Sequence, residues 1–358
     1  KRVAKFGYKQ ESKQSSVSFG TIDLRRRNDG RLVGLSSWGS QTKSSSYLYL
    51  LTADGKIDRT FGRRGKKVLA FERGNGVGSS EFLAMDVDSK GRIVVAGRGP
   101  FGRYLIVRRF LANGSTDRSF AKGGTWRGRF GRTRSGESVS DLKSVGNAVV
   151  VAGTTDSRGL VFKLNNLGSL DKSFGNNGKT YGRCGPGGCR PNFVCYRHCL
   201  NAKLVALADG TLLLLRYQAS KNPNWENVLY RFRVDGSSVR SFGRDGVLPL
   251  TSRVVSQANP ATSDPGKLLG ELSSAVPSGR HGFVLGTYAN VKSQGMRSIG
   301  IRFSGSGEAI KGLAFSLPVP EGSWGMYRNG NSSFFVTGRS GSKPIQKDEV
   351  AVYKYLTR

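Results

Sequence analysis

Gly168-Ser169-Leu170-Asp171-Lys172-Ser173-Phe174-Gly175-Asn176-Asn177-Gly178 is the stretch whose reading decides the fold of this chain. It opens on a glycine turn, sets a short carboxylate ahead of a hydroxyl residue and a lone phenylalanine, and closes on a second pair of glycines. Immediately before it, Leu160-Val161-Phe162-Lys163-Leu164 reads as a short strand. The same string recurs as Gly55-Lys56-Ile57-Asp58-Arg59-Thr60-Phe61-Gly62-Arg63-Arg64-Gly65 and as Gly114-Ser115-Thr116-Asp117-Arg118-Ser119-Phe120. A looser copy runs from Gly236 to Gly246, with Val239 at the aspartate position, and the pattern is nearly lost around Glu308.

Working outward, each copy sits inside a larger unit. A turn leads into an apolar strand ending in or near glycine, as in Lys90-Gly91-Arg92-Ile93-Val94-Val95-Ala96-Gly97 and Gly146-Asn147-Ala148-Val149-Val150-Val151-Ala152-Gly153, and four further segments read alike. A second strand follows, such as Leu105-Ile106-Val107-Arg108-Arg109-Phe110 or Val228-Leu229-Tyr230-Arg231-Phe232, and then the glycine turn. Period-two character broken by glycine turns predicts a β-meander, and units of about 55 to 70 residues have the size of a four-stranded propeller blade.

The recurring string resembles the delta-60 repeat, a bacterial β-propeller repeat family of unknown function. The resemblance implies a fold and carries no catalytic assignment. The expectation is therefore an all-β chain forming a single domain, a six-bladed β-propeller with blades at approximately 17–71, 80–130, 137–183, 200–250, 268–318 and 322–358. Residues 1–16 would supply the outer strand of the last blade, closing the ring and leaving no open sheet edge.

Composition narrows the function. The 358 residues carry 57 Lys plus Arg against 24 Asp plus Glu, a formal charge of +33, which favours anionic partners. Two histidines, His198 and His281, leave little for histidine-based catalysis or a multi-histidine metal site, and no cofactor or metal is expected. No apolar run is long enough to span a membrane. The chain is expected to be secreted or on the cell surface, its leader removed before Lys1, and to act as a monomer.

In a meander, alternate connections fall on opposite ends of the sheets. One set holds the regular glycine turns, whereas the other varies in length and is rich in arginine and aromatics, which points to the variable side as the site. The densest segment is Trp126-Arg127-Gly128-Arg129-Phe130-Gly131-Arg132-Thr133-Arg134, similar to the Arg-Gly tracts of RNA binders. With Arg98, Arg103, Arg183, Arg190, Arg197 and Trp225 it makes the candidate surface for an anionic polysaccharide or another polyanion, nucleic acid included. The regular-turn side is basic as well, through Arg59, Arg63, Arg64, Lys66 and Lys67. Asp58, Asp117 and Asp171 are expected to fix their turns by accepting backbone N–H groups, and Phe61, Phe120, Phe174 and Phe242 to fill space between blades.

Cys184, Cys189, Cys195 and Cys199 form a Cys-rich insertion at 181–199 and read first as two local disulfides, with a structural zinc site as the rival. The sequence leaves connectivity open. A hydrolase or lyase acting on polysaccharide is the alternative function, using loop carboxylates among Glu72, Glu137, Asp156, Glu226, Asp264 and Asp348, although no spacing pairs them. A protein-interaction module of a surface assembly is the third reading.

Overall fold

A computed structural model describes residues 18–39, 44–69, 81–132, 136–156, 158–182, 202–218, 226–250, 254, 274–291, 295–310, 315–317, 321–329, 333–340 and 349–356. The chain divides into two compact units. In the first, three antiparallel four-stranded meanders follow in chain order: β1 (Ser18–Arg26), β2 (Leu32–Gly39), β3 (Ser44–Leu51) and β4 (Lys66–Leu69); β5 (Glu81–Val87), β6 (Ile93–Arg98), β7 (Leu105–Phe110) and β8 (Thr125–Gly128); β9 (Ser138–Val145), β10 (Ala148–Thr155), β11 (Arg158–Leu164) and β12 (Lys179–Gly182).

The second unit repeats the design with β13 (Ala202–Ala206), β14 (Leu212–Gln218), β15 (Glu226–Phe232) and β16 (Val247–Leu250), then β17 (Ser274–Ser278), β18 (Gly282–Val291), β19 (Gly295–Phe303) and β20 (Phe315–Leu317). Its last sheet holds β21 (Glu321–Asn329), β22 (Ser333–Ser340) and β23 (Glu349–Leu356). The fourth strand expected there from residues 1–16 lies outside the described residues, as do the four cysteines of the 181–199 insertion. The fold is all-β, and the sheets have the strand order of propeller blades.

Burial explains the sequence pattern strand by strand. The second strands β6 and β10 are buried at nearly every position, because both faces of these sheets are covered, so they read as unbroken runs of Val, Ile and Ala instead of alternating. The outer β4 is mostly exposed and correspondingly short and polar. Their glycine endings follow from bulges in the first strands. Leu83 and Ser140 are each an extra residue against β6 and β10, and the bulge brings the Glu81 and Ser138 carbonyls to 1.8 and 2.1 Å from where a Cβ of Gly97 and Gly153 would stand.

The recurring string keys each sheet to the next. Phe61, Phe120 and Phe242 are fully buried, and each lies under the turn glycine of the following sheet: a Cβ on Gly114, Gly168 or Gly307 would come within 2.9, 3.0 and 2.9 Å of those rings. Beside each ring a backbone bond crosses between sheets, from Gly62 N–H to Asn113, Ala121 N–H to Leu167 and Gly243 N–H to Ser306. The aspartates do what the sequence reading expects of them. Asp58 accepts from the amide and hydroxyl of Thr60 (3.0 and 2.5 Å), Asp117 from those of Ser119 (3.1 and 2.5 Å) and Asp171 from those of Ser173 (3.2 and 2.6 Å).

Their second oxygens meet a cation. Arg31 reaches Asp58 at 2.9 Å, Lys163 reaches Asp171 at 3.0 Å, and Arg109, only 1% exposed, donates to Asp117 at 2.7 Å while lying 4.6 Å over the Phe120 ring. In the fourth sheet, where Val239 replaces the aspartate, Arg231 turns instead to Asp209 on the preceding turn, and His281 brings Nδ1 to 3.1 Å from the same carboxylate. His281 is thus a turn residue of the regular side, as expected.

These contacts set an acid limit. The Thr60 hydroxyl, Arg31 and the Thr60 amide hold Asp58 at about 2, below its ordinary 3.8. For Asp209, burial pushes upward, but the Thr211 hydroxyl and amide, His281 and Arg231 outweigh it and hold it at about 2 as well. A carboxylate depressed in the folded state binds its proton more tightly when unfolded, so its stabilisation is complete above pH 3.8 and is lost as pH falls toward 2. Urea midpoints across pH 2 to 6 should be flat above about pH 5 and fall steeply below about pH 4, and the double variant Asp58→Asn, Asp209→Asn should show a shallower fall. An equal acid slope in both proteins would refute the assignment.

Candidate functional site

The variable side of the second sheet is built by two connections, β6–β7 and β8–β9. The β6–β7 tip is a single turn of 3-10 helix, Pro100–Gly102, closed by Gly102 N–H to Gly99 C=O (3.0 Å) and Arg103 N–H to Pro100 C=O (3.2 Å). The β8–β9 connection packs against it through Glu137 N–H to Gly102 C=O, 3.1 Å. Glu137 organises the rest. It is 2% exposed, and its Oε1 accepts Phe130 N–H (2.9 Å), Gly131 N–H (2.6 Å) and the Thr155 hydroxyl (2.9 Å). Asp156, from the β10–β11 connection, accepts the Arg132 N–H. Two of the loop carboxylates weighed for hydrolysis are thereby spent on fixing the backbone of the arginine-rich segment.

With the backbone held from beneath, the cations face outward. Arg98, Arg103, Arg127, Arg129 and Arg132 are all exposed. Arg98 meets Glu81 at 3.0 Å, and Arg129 donates to the Arg132 carbonyl at 3.0 Å. The two aromatics of the segment are placed differently from the sequence expectation of a ligand-stacking pair. Trp126 and Phe130 are half-buried, each with its ring centroid 5.0 Å from that of Phe162, and they complete the core between the second and third sheets. The exposed ring on this side is Phe101, 47% accessible, with the Arg103 guanidinium 5.4 Å from its centroid. Arg134, Arg183, Arg190, Arg197 and Trp225 lie outside the described residues.

Backbone conformation marks the same side. Six non-glycine residues have a left-handed φ. Four belong to the repeated turn, where the pattern accounts for them: Arg64, Asn177 and Asp245 share one position, and Ala121 stands where the other copies have Gly62, Gly175 and Gly243. The remaining two, Phe101 (φ 57°) and Asp156 (φ 43°), flank the arginine-rich connection. Aspartate tolerates this region, whereas for phenylalanine it is an outlier.

A second charged constellation, absent from the sequence reading, lies on the first strands of the three sheets of this unit. Arg25 pairs with Asp23 on its own strand, its Nε lies 3.3 Å from Asp86 on β5, and its Nη2 lies 3.8 Å from Asp141 on β9. Lys143 approaches Asp86 at 3.7 Å. Backbone amides complete the network, Met85 N–H to Asp23 (3.3 Å) and Ser144 N–H to Asp86 (2.8 Å). Three carboxylates around one guanidinium form a clamp across three sheets, each carboxylate held by a cation. Among the described residues no cluster of His, Cys, Asp and Glu is arranged to hold a metal ion, and no helix is long and apolar enough to cross a membrane.

No protein-family model matches the chain, and no curated protein does. Among solved structures, it is similar to a protein of unknown function from Dyadobacter fermentans, with a TM-score of 0.51 and 10% identity over 96% of this chain and 94% of that one. It is equally similar to a subtype N11 neuraminidase-like protein of an influenza virus from a flat-faced bat, with a TM-score of 0.51 and 10% identity over 96% and 94% of the two chains. At that identity the likeness is one of fold, and it supports a propeller-like all-β architecture.

Proposed function

We propose that the six sheets are blades of one ring, closed where residues 1–16 join β21–β23, and that the chain is a secreted or cell-surface, non-catalytic module. It binds an anionic polymer, an envelope or matrix glycan in the first place and nucleic acid in the second, through the arginine-rich side of its sheets. The observation that carries this reading is the single run of exposed Arg98, Arg103, Arg127, Arg129 and Arg132 on two connections that Glu137 ties together. Guanidinium groups on a fixed backbone meet carboxylate, sulfate or phosphate in bidentate fashion with little ordering cost, and a net charge of +33 draws such chains in from a distance. Membership of the delta-60 repeat family remains part of this proposal and rests on the recurring string.

An array of polyanions and glycans, read at low and moderate salt and followed by mass spectrometry of the bound polymer, tests it. Binding of intact heparin-like or teichoic chains that weakens steeply with salt is the expected result, because each neutralised charge releases counterions. Shortened chains would replace the reading with a hydrolase or lyase, and silence on every polymer would replace it with a protein partner.

A further inference from the structure

We infer that Phe101 and Arg103 form a recognition subsite for one acidic sugar ring of the polymer, a uronate or sulfated residue; this rests on the polyanion-binding reading above. Phe101 sits at the tip of a connection between Pro100 and Gly102, with φ of 57° and ψ of 19°, a conformation that costs a bulky side chain energy and that the surrounding bonds impose. Nothing in the packing repays that cost, because the ring is 47% exposed and belongs to none of the buried clusters. An apolar ring held out toward water at the expense of backbone strain has the character of a ligand platform. It also lies beside the arginine-rich segment, joined to it by the bond from Glu137 to Gly102.

The chemistry of the ligand follows from the spacing of ring and cation. Arg103 stands 5.4 Å from the centroid of the Phe101 ring, so the flat surface and the charge are adjacent. An acidic sugar matches this, since its C–H face stacks on an aromatic ring while its own carboxylate or sulfate reaches a neighbouring guanidinium. In a nucleic acid the stacking base and the charged phosphate are separated by a sugar, and inorganic polyphosphate has no face to stack. The cation next to the ring therefore favours the acidic sugar.

The test uses the full chain and three probes, a heparin decasaccharide, inorganic polyphosphate of similar charge and an oligothymidine, with Phe101→Gly and Phe101→Leu. Glycine removes both ring and strain, whereas leucine keeps apolar bulk without the flat face. The expected result is a loss of about tenfold in heparin affinity for both variants with polyphosphate binding unchanged. For Phe101→Gly the Tm should hold or rise by about 2 °C. Unchanged heparin binding in either variant, while the wild type binds both heparin and polyphosphate, would overturn the subsite and leave the polyanion reading standing. An equal loss on polyphosphate, or a Tm lowered by about 3 °C or more in Phe101→Gly, would show a structural role and overturn it as well. A ring-dependent loss confined to oligothymidine would reassign the platform to a base, and a wild type that binds none of the three would end both readings.

Discussion

Replacing Arg25 by methionine should cost about 3 kcal/mol of unfolding free energy, measured from urea denaturation of the whole chain. The magnitude follows from what the substitution leaves behind. Arg25 faces Asp23, Asp86 and Asp141, whose side chains are 11%, 13% and 4% exposed, and only Lys143 would remain within reach of Asp86. Stranding carboxylates in a poorly hydrated place costs far more than an intact surface ion pair yields, because desolvation is no longer offset. Arg25→Lys should fall between, since one ammonium cannot present three donors toward three separate strands. Replacing all four partners together by apolar residues of similar volume should recover much of the loss, as apolar cores often match buried ion pairs. A change in the Arg25→Met protein within about 0.5 kcal/mol would mean that water already fills this region and that the clamp contributes nothing.

That network shows where sequence reasoning stops. Strands and turns were legible because each uses local chemistry: a glycine where a bulge presses a carbonyl onto the neighbouring strand, an aspartate two residues before a hydroxyl, a phenylalanine beneath the next turn glycine. The Arg25 clamp is not local. Its carboxylates come from three sheets, and the bulge in each first strand breaks the alternation that would reveal which face a residue takes. One signal was present, the parallel tripeptides Asp23-Leu24-Arg25 and Asp141-Leu142-Lys143 at matching strand positions.

The arginine-rich connection was legible in composition and misread in detail. Two aromatics among four arginines look like stacking platforms, yet β8 carries Trp126 as its second residue and the chain folds back so that Trp126 and Phe130 cover Phe162. Whether a loop aromatic turns inward depends on what the adjacent sheet leaves uncovered. Phe101 shows the converse, since its exposure comes from a backbone angle that the sequence does not announce.

Removing the charges of that connection should have the largest effect on binding. With Arg127, Arg129, Arg132 and Arg134 changed to alanine, heparin affinity at about 0.15 M salt should fall by about 100-fold or more, and the slope of log K against log salt should flatten by about 3, since each lost contact releases roughly 0.7 to 0.9 fewer counterions. The slope is the decisive readout, because it counts contacts, whereas affinity also responds to how well the loop is ordered. Folding should be untouched: the backbone of the segment is fixed by Glu137 and Asp156 through amide groups that alanine retains, and its two rings stay on Phe162. An unchanged Tm together with a flattened slope would place the polymer on these arginines. An unchanged slope at unchanged Tm would place it elsewhere on a chain of net charge +33, and the basic turns around Arg59, Arg63 and Arg64 on the opposite side of the sheets would then be the next cations to remove.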